Sequence, residues 1–202
     1  FVSVCFFFFN DTATTDTSTL SLHDALPISG GTGPTTVSDP LGDVTIANAG
    51  PGTTTVTGAT DGSTVSTSGA GPTTVSGPLG DVTIANAGPG TTTVTGATDG
   101  STVSTSGEGP TTVSGPLGDV TIANAGPGTT TVTGATDGST VTTSGAGPTT
   151  VSGPLGDVTI ANAGPGTTTV SGATDGSTVS TSGNGPTTVS GPLGDVTIAN
   201  AG

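Results

Sequence analysis

Apolar residues recur along most of this chain as single β-branched positions set among Thr and Ser. In TTTVT (53–57) and STVST (63–67) inward and outward positions alternate, as the side chains of a strand do. Such runs are bounded by turn formers, among them Asp61-Gly62, Pro51-Gly52 and Gly42-Asp43. Branched Thr and Val favour an extended backbone. A helix would need apolar residues three and four apart, and each interior Gly would cost it about 1 kcal/mol. The pattern predicts short strands throughout and no helix.

The strands are copies of one another. PTTVS recurs every 38 residues, at Pro34, Pro72, Pro110, Pro148 and Pro186. The chain therefore divides into a front segment (1–29), a junction (30–33) and a tandem array (34–202). The copies of the array are 34–71, 72–109, 110–147, 148–185 and a partial 186–202. They differ at few places: Asp39 stands against Gly77, Ala70 against Glu108 and Asn184, Ser66 against Thr142, and Thr57 against Ser171. Writing 33–51 above 52–70 exposes a second period of 19, in which Val37 meets Val56, Ile46 meets Val65 and Gly50 meets Gly69. A fixed period of about 20 residues is the mark of a solenoid.

Stacked at 19, the chain forms one apolar column from Val37, Val56 and Val75 onward and a second from Ile46, Val65 and Ile84 onward, both expected inside. Their strand neighbours then face out as hydroxyl ladders. One is Thr36, Thr55, Thr74, Thr93, Thr112, Thr131, Thr150, Thr169 and Thr188; the other begins Thr45, Thr64, Thr83, Thr102. The expected fold is all-β: a flat two-sheet β-solenoid with about 19 residues per rung. About nine rungs would make a rod roughly 43 Å long. The alternative is a largely disordered low-complexity linker, because aliphatic burial is sparse, with Val37, Leu41, Val44 and Ile46 in the richer half-repeat and mainly Val56 and Val65 in the poorer.

Charge narrows the function. The chain carries 14 acids and neither Lys nor Arg, a formal net charge of −14. With no positive patch, nucleic acid and anionic membrane surfaces are excluded as partners. Membrane insertion is not expected either, since the longest apolar run, FVSVCFFFF, is nine residues and a span needs about 20.

All five Phe, the one Cys (Cys5) and the one His (His23) lie between Phe1 and His23. Within that front, NDTATT and TLSLHDALPIS, in residues 10–29, resemble the conceptual translation of a short-read sequencing adapter, with Asp16, Thr17 and Ser18 differing. The resemblance implies that residues 1–29 are not native to the protein.

The array has hydroxyls but no His, Lys or Cys to activate or join them, so nucleophilic catalysis, zinc, haem and disulfides are not expected. Asp43 and Asp61, with their copies Asp81, Asp99, Asp119, Asp137, Asp157 and Asp175, read as turn residues. One carboxylate per turn is a poor calcium set. No enzyme, cofactor or metal site is expected.

Thr53, Thr55 and Thr57 form an outward T-x-T-x-T row, weaker in Pro34, Thr36 and Ser38. Such threonine arrays resemble ice-binding β-solenoids, and the composition resembles Thr-rich strand-repeat surface adhesins and stalks. The function expected is a non-enzymatic, extracellular or cell-surface structural stalk or spacer, a fragment of a longer protein. The alternatives are contact with ice, carbohydrate or a surface through the Thr face, and a translated minisatellite without function.

Overall fold

The structure, a computed structural model, describes residues 18–20, 27–30, 32–38, 44–59, 62–77, 81–97, 100–115, 118–136, 138–153, 156–173, 176–191 and 194–202, with side chains from residue 32 onward. These residues form a two-sheet parallel β-solenoid. The fold expected from the 19-residue period is the fold observed, and the disordered linker is not.

The first coils comprise β1 (Ser18–Leu20), β2 (Pro27–Gly30), β3 (Thr35–Ser38), β4 (Thr45–Asn48), β5 (Thr54–Thr57) and β6 (Thr64–Thr67). The four-residue pattern continues through β7 (Thr73–Ser76) and β8 (Thr83–Asn86) to β19 (Thr187–Ser190) and β20 (Thr197–Asn200). Odd-numbered strands form one ten-stranded sheet and even-numbered strands the other. All pairing is parallel, and within the array the register is one period: Val37 pairs with Val56 and Val56 with Val75, while Ile46 pairs with Val65 and Val65 with Ile84.

Parallel strands need a crossover connection. Here the opposite sheet provides it, because the chain crosses to that sheet and returns one level further on. The ladder starts earlier than Pro34. Ser18 pairs with Thr35 and Pro27 with Thr45, so the front segment, which the adapter resemblance places outside the native chain, supplies a first coil slightly shorter than those that follow.

Alternation sorts each strand. In β3 and β5 the first and third residues are buried, and in β4 and β6 the second and fourth. Both expected apolar columns line the interior as far as Val170 and Val179, with Val75, Ile84, Val94 and Ile122 at 0% exposure; on the last two strands Val189 is half-buried and Ile198 exposed. Val44, Val82, Val120 and Val158 join them, as do Ala59, Ala97, Ala135 and Ala173. Leu41 lies outside the described residues.

Two kinds of coil therefore alternate. Valine coils, such as β3 with β4, place Val44, Ile46 and Asn48 inside; serine coils, such as β5 with β6, place Ser63, Val65 and Thr67 at the same positions. The 19-residue period is the coil and the 38-residue period the pair.

Candidate functional site: threonine faces and two unlike corners

Each coil turns twice. A broad corner runs from the odd sheet to the even one (39–44, then 58–63), and a tight corner returns (49–53, then 68–72).

The tight corner is built on backbone. A Cβ added to Gly69 or Gly88 would overlap the carbonyl of Gly50 or Gly69 one coil before, and one on Gly71 or Gly90 would overlap Gly52 or Gly71. Two glycine columns thus let successive turns stack main chain on main chain. The residue between them points out, and Pro51, Ala70, Pro89, Glu108 and Asn184 all sit exposed at this apex. The most variable position of the repeat is therefore one that touches no neighbouring coil's interior.

Inside that corner the core ends in polar groups. Asn48 Nδ2 donates to Thr54 Oγ1 at 2.8 Å and to the Gly52 carbonyl at 3.2 Å, while its Oδ1 accepts from the Gly50 amide at 2.9 Å. One coil later Thr67 and Thr73 share a hydroxyl–hydroxyl bond of 2.9 Å. Asn86 with Thr92, and Thr105 with Thr111, repeat the alternation. All these Asn and Thr side chains are buried, and no buried side-chain polar atom among the described residues is left unsatisfied. A buried polar group costs stability only when unpaired, so the two sheets close over this edge at little electrostatic cost.

The broad corner is built on dihedral angles. Gly58, Gly77 and Gly96 have φ of 69°, 57° and 71°, and Gly62 in the expected Asp-Gly turn has 79°. Its inner wall takes side chains: Ser63 Oγ accepts from the Val44 amide at 3.2 Å, and Ser139 Oγ donates to the Gly118 carbonyl at 2.9 Å. By sequence this corner holds every acid after residue 34 except Glu108. Asp81, Asp119 and Asp157 are exposed there, each 38 residues from the next, so they do not converge. Asp43, Asp61, Asp99, Asp137 and Asp175 lie outside the described residues. Among the described residues no group of three or more His, Cys, Asp or Glu could hold a metal ion.

The expected threonine ladders are on the outer faces. Thr36, Thr55, Thr74, Thr93, Thr112, Thr131, Thr150 and Thr169 are half-buried between their column neighbours, and Thr188 on the last odd strand is exposed. In-register pairing, such as Thr93 with Thr112 and Thr112 with Thr131, makes them one continuous line. Thr53 and Thr57 flank Thr55 on the surface, as expected. The even sheet carries the second ladder, with Thr45 and Thr83 exposed and Thr64 and Thr102 half-buried.

A second set of threonines lies inside, where the period predicts only the apolar columns. Thr35, Thr54, Thr73 and Thr92 are buried, as are Asn48 and Thr67. Each lies two residues from a column Val or Ile and so shares its face, which is the sequence signal that marks it. What these surfaces offer chemically is a neutral lattice of hydroxyl and methyl groups, edged on one side by carboxylates. Among the described residues no helix is long and apolar enough to cross a membrane. Compared with known proteins, the chain matches no family model, no curated protein and no solved structure.

Proposed function

We propose that the array is a non-enzymatic structural rod, an extracellular or cell-surface stalk or spacer of the adhesin type. The observation that carries this reading is the sameness of the ladder from coil to coil. Each coil meets its neighbours through the same in-register ladder, so copy number sets length, and nearest-neighbour contacts suffice to propagate the fold. The uniform acidic charge and neutral hydroxyl faces suit a spacer that resists non-specific adhesion. Deleting residues 72–109 should shorten the rod by two coils, about 9.6 Å, by small-angle X-ray scattering, with the circular dichroism per residue unchanged. Collapse of the remaining array would overturn the modular reading. Recovery of peptides from 34–202 by mass spectrometry of source material would exclude an unexpressed minisatellite.

The unbroken Thr36-to-Thr188 line favours a second reading, adhesion to a periodic solid such as ice or a crystalline polysaccharide. Lattice binding rises steeply with coil number, whereas a spacer's inertness does not. Thermal hysteresis and pull-down on insoluble polysaccharide, each measured on arrays of different copy number, separate the two; no activity in either assay removes the second.

A further inference from the structure

The seams share a ladder but not their side-chain ties. Where a serine coil follows a valine coil, asparagine spans the tight corner: Asn86 Nδ2 donates to Thr92 Oγ1 at 2.7 Å and to the Gly90 carbonyl at 3.2 Å, and Oδ1 accepts from the Gly88 amide at 2.9 Å. Asn124 and Asn162 repeat the set. The broad corner of the same seam adds a serine, with Ser139 Oγ donating to the Gly118 carbonyl and Ser177 Oγ to that of Gly156, both at 2.9 Å.

Where a valine coil follows a serine coil, the buried tie at the tight corner is one hydroxyl pair, as in Thr105 with Thr111 and Thr143 with Thr149, both at 2.9 Å, and the broad corner adds a backbone bond, as from the Gly100 amide to the Asp119 carbonyl at 2.8 Å. The outer contacts at this seam, Thr95 with Ser114 and Ser152 with Thr133, are exposed and 3.4 Å long, so water competes for them.

We propose that the array opens under load in pairs of coils, each valine coil staying bound to the serine coil after it, so that the rod is an extensible tether with a 38-residue step. Peeling from the carboxyl end releases a valine coil across the weak seam and stops at the asparagine tie. Once that tie fails, the next weak seam gives way with it. Peeling from the amino end breaks the asparagine tie first, and the freed serine coil follows. From either end the resting states are whole pairs. The 38-residue repeat is then a mechanical unit and not only a record of copying. The inference goes beyond the spacer reading: rod length on copy deletion tests that reading, whereas step size tests the seams.

Single-molecule extension of the full chain held at its two ends distinguishes the outcomes. A pair released from two coils and drawn out to about 3.5 Å per residue lengthens the tether by roughly 120 Å, and a single coil by roughly 60 Å. Steps of the pair size support the proposal; steps of the single-coil size, or opening of the whole array at once, overturn it. Replacing Asn48, Asn86, Asn124 and Asn162 together by Thr, which Thr67 and Thr105 already show fits that interior position, should bring in the shorter steps at lower force. Persistence of the longer step alone in that variant would overturn the role given to asparagine.

Discussion

The two corners of a coil do the same topological work by different physics. At the tight corner the constraint is space: the glycines of the Gly50 and Gly52 columns lie against the carbonyls of the coil below, and no other residue has a place there. At the broad corner the constraint is conformation: Gly77 and Gly115 have positive φ, yet an added Cβ meets nothing within 4 Å. The tight corner rejects a side chain because of its neighbours; at the broad corner the Gly77 and Gly115 column rejects one only because of its own backbone, while Gly100 and Gly138 there also lie against the carboxylates of Asp81 and Asp119. Damage at the first therefore propagates between coils, whereas damage at the Gly77 column stays within one.

The largest effect should come from Gly90→Ala, whose methyl overlaps the Gly71 carbonyl. Separating the main chains forfeits ladder bonds on both sheets, a loss of about 4 kcal/mol or more, read as a large drop in the urea midpoint or an array melting in two parts. Asn124→Ala should follow, at about 2–3 kcal/mol, because it strands the Gly128 carbonyl and the Gly126 amide in a buried edge; hydrogen exchange should quicken at that tight corner first.

Gly96→Ala should cost about 1–2 kcal/mol, the penalty of φ +71° for a residue with a Cβ, since the nearest atom is 3.9 Å away. An effect as large as that of Gly90→Ala would erase the distinction between the corners. Glu108→Ala, at the exposed apex between the tight-corner glycines, should shift the melt by less than about 0.5 kcal/mol.

How far the sequence displays this arrangement depends on which force sets each position. Val37, Ile46 and Thr36 are legible because strand alternation and a fixed period together leave one choice of face. Asn48 and Thr54 obey the same rule, but a polar residue is ordinarily assigned to solvent, and what holds them inside is a mutual bond between residues on different strands. The glycine columns are visible as unbroken identity at positions 19 apart, yet a Gly-Pro-Gly string reads first as a turn; the crowding that requires it exists only once coils are stacked. The strands Ser18–Leu20 and Pro27–Gly30 carry no copy of the repeat, so periodicity has nothing to say about them.

The stacking of Asp81 over Gly100, where a Cβ would meet the carboxylate, recurs as Asp119 over Gly138 and Asp157 over Gly176. Each acid needs a bare neighbour. A gene that lengthened this rod by a single coil would set carboxylate on carboxylate about 4.8 Å apart, asparagine on asparagine, and valine on valine in a wall cut for serine. Doubling by two coils changes none of these pairings. Two coils are thus the smallest increment by which the rod can lengthen while every stacked pair keeps the partner it has in the structure.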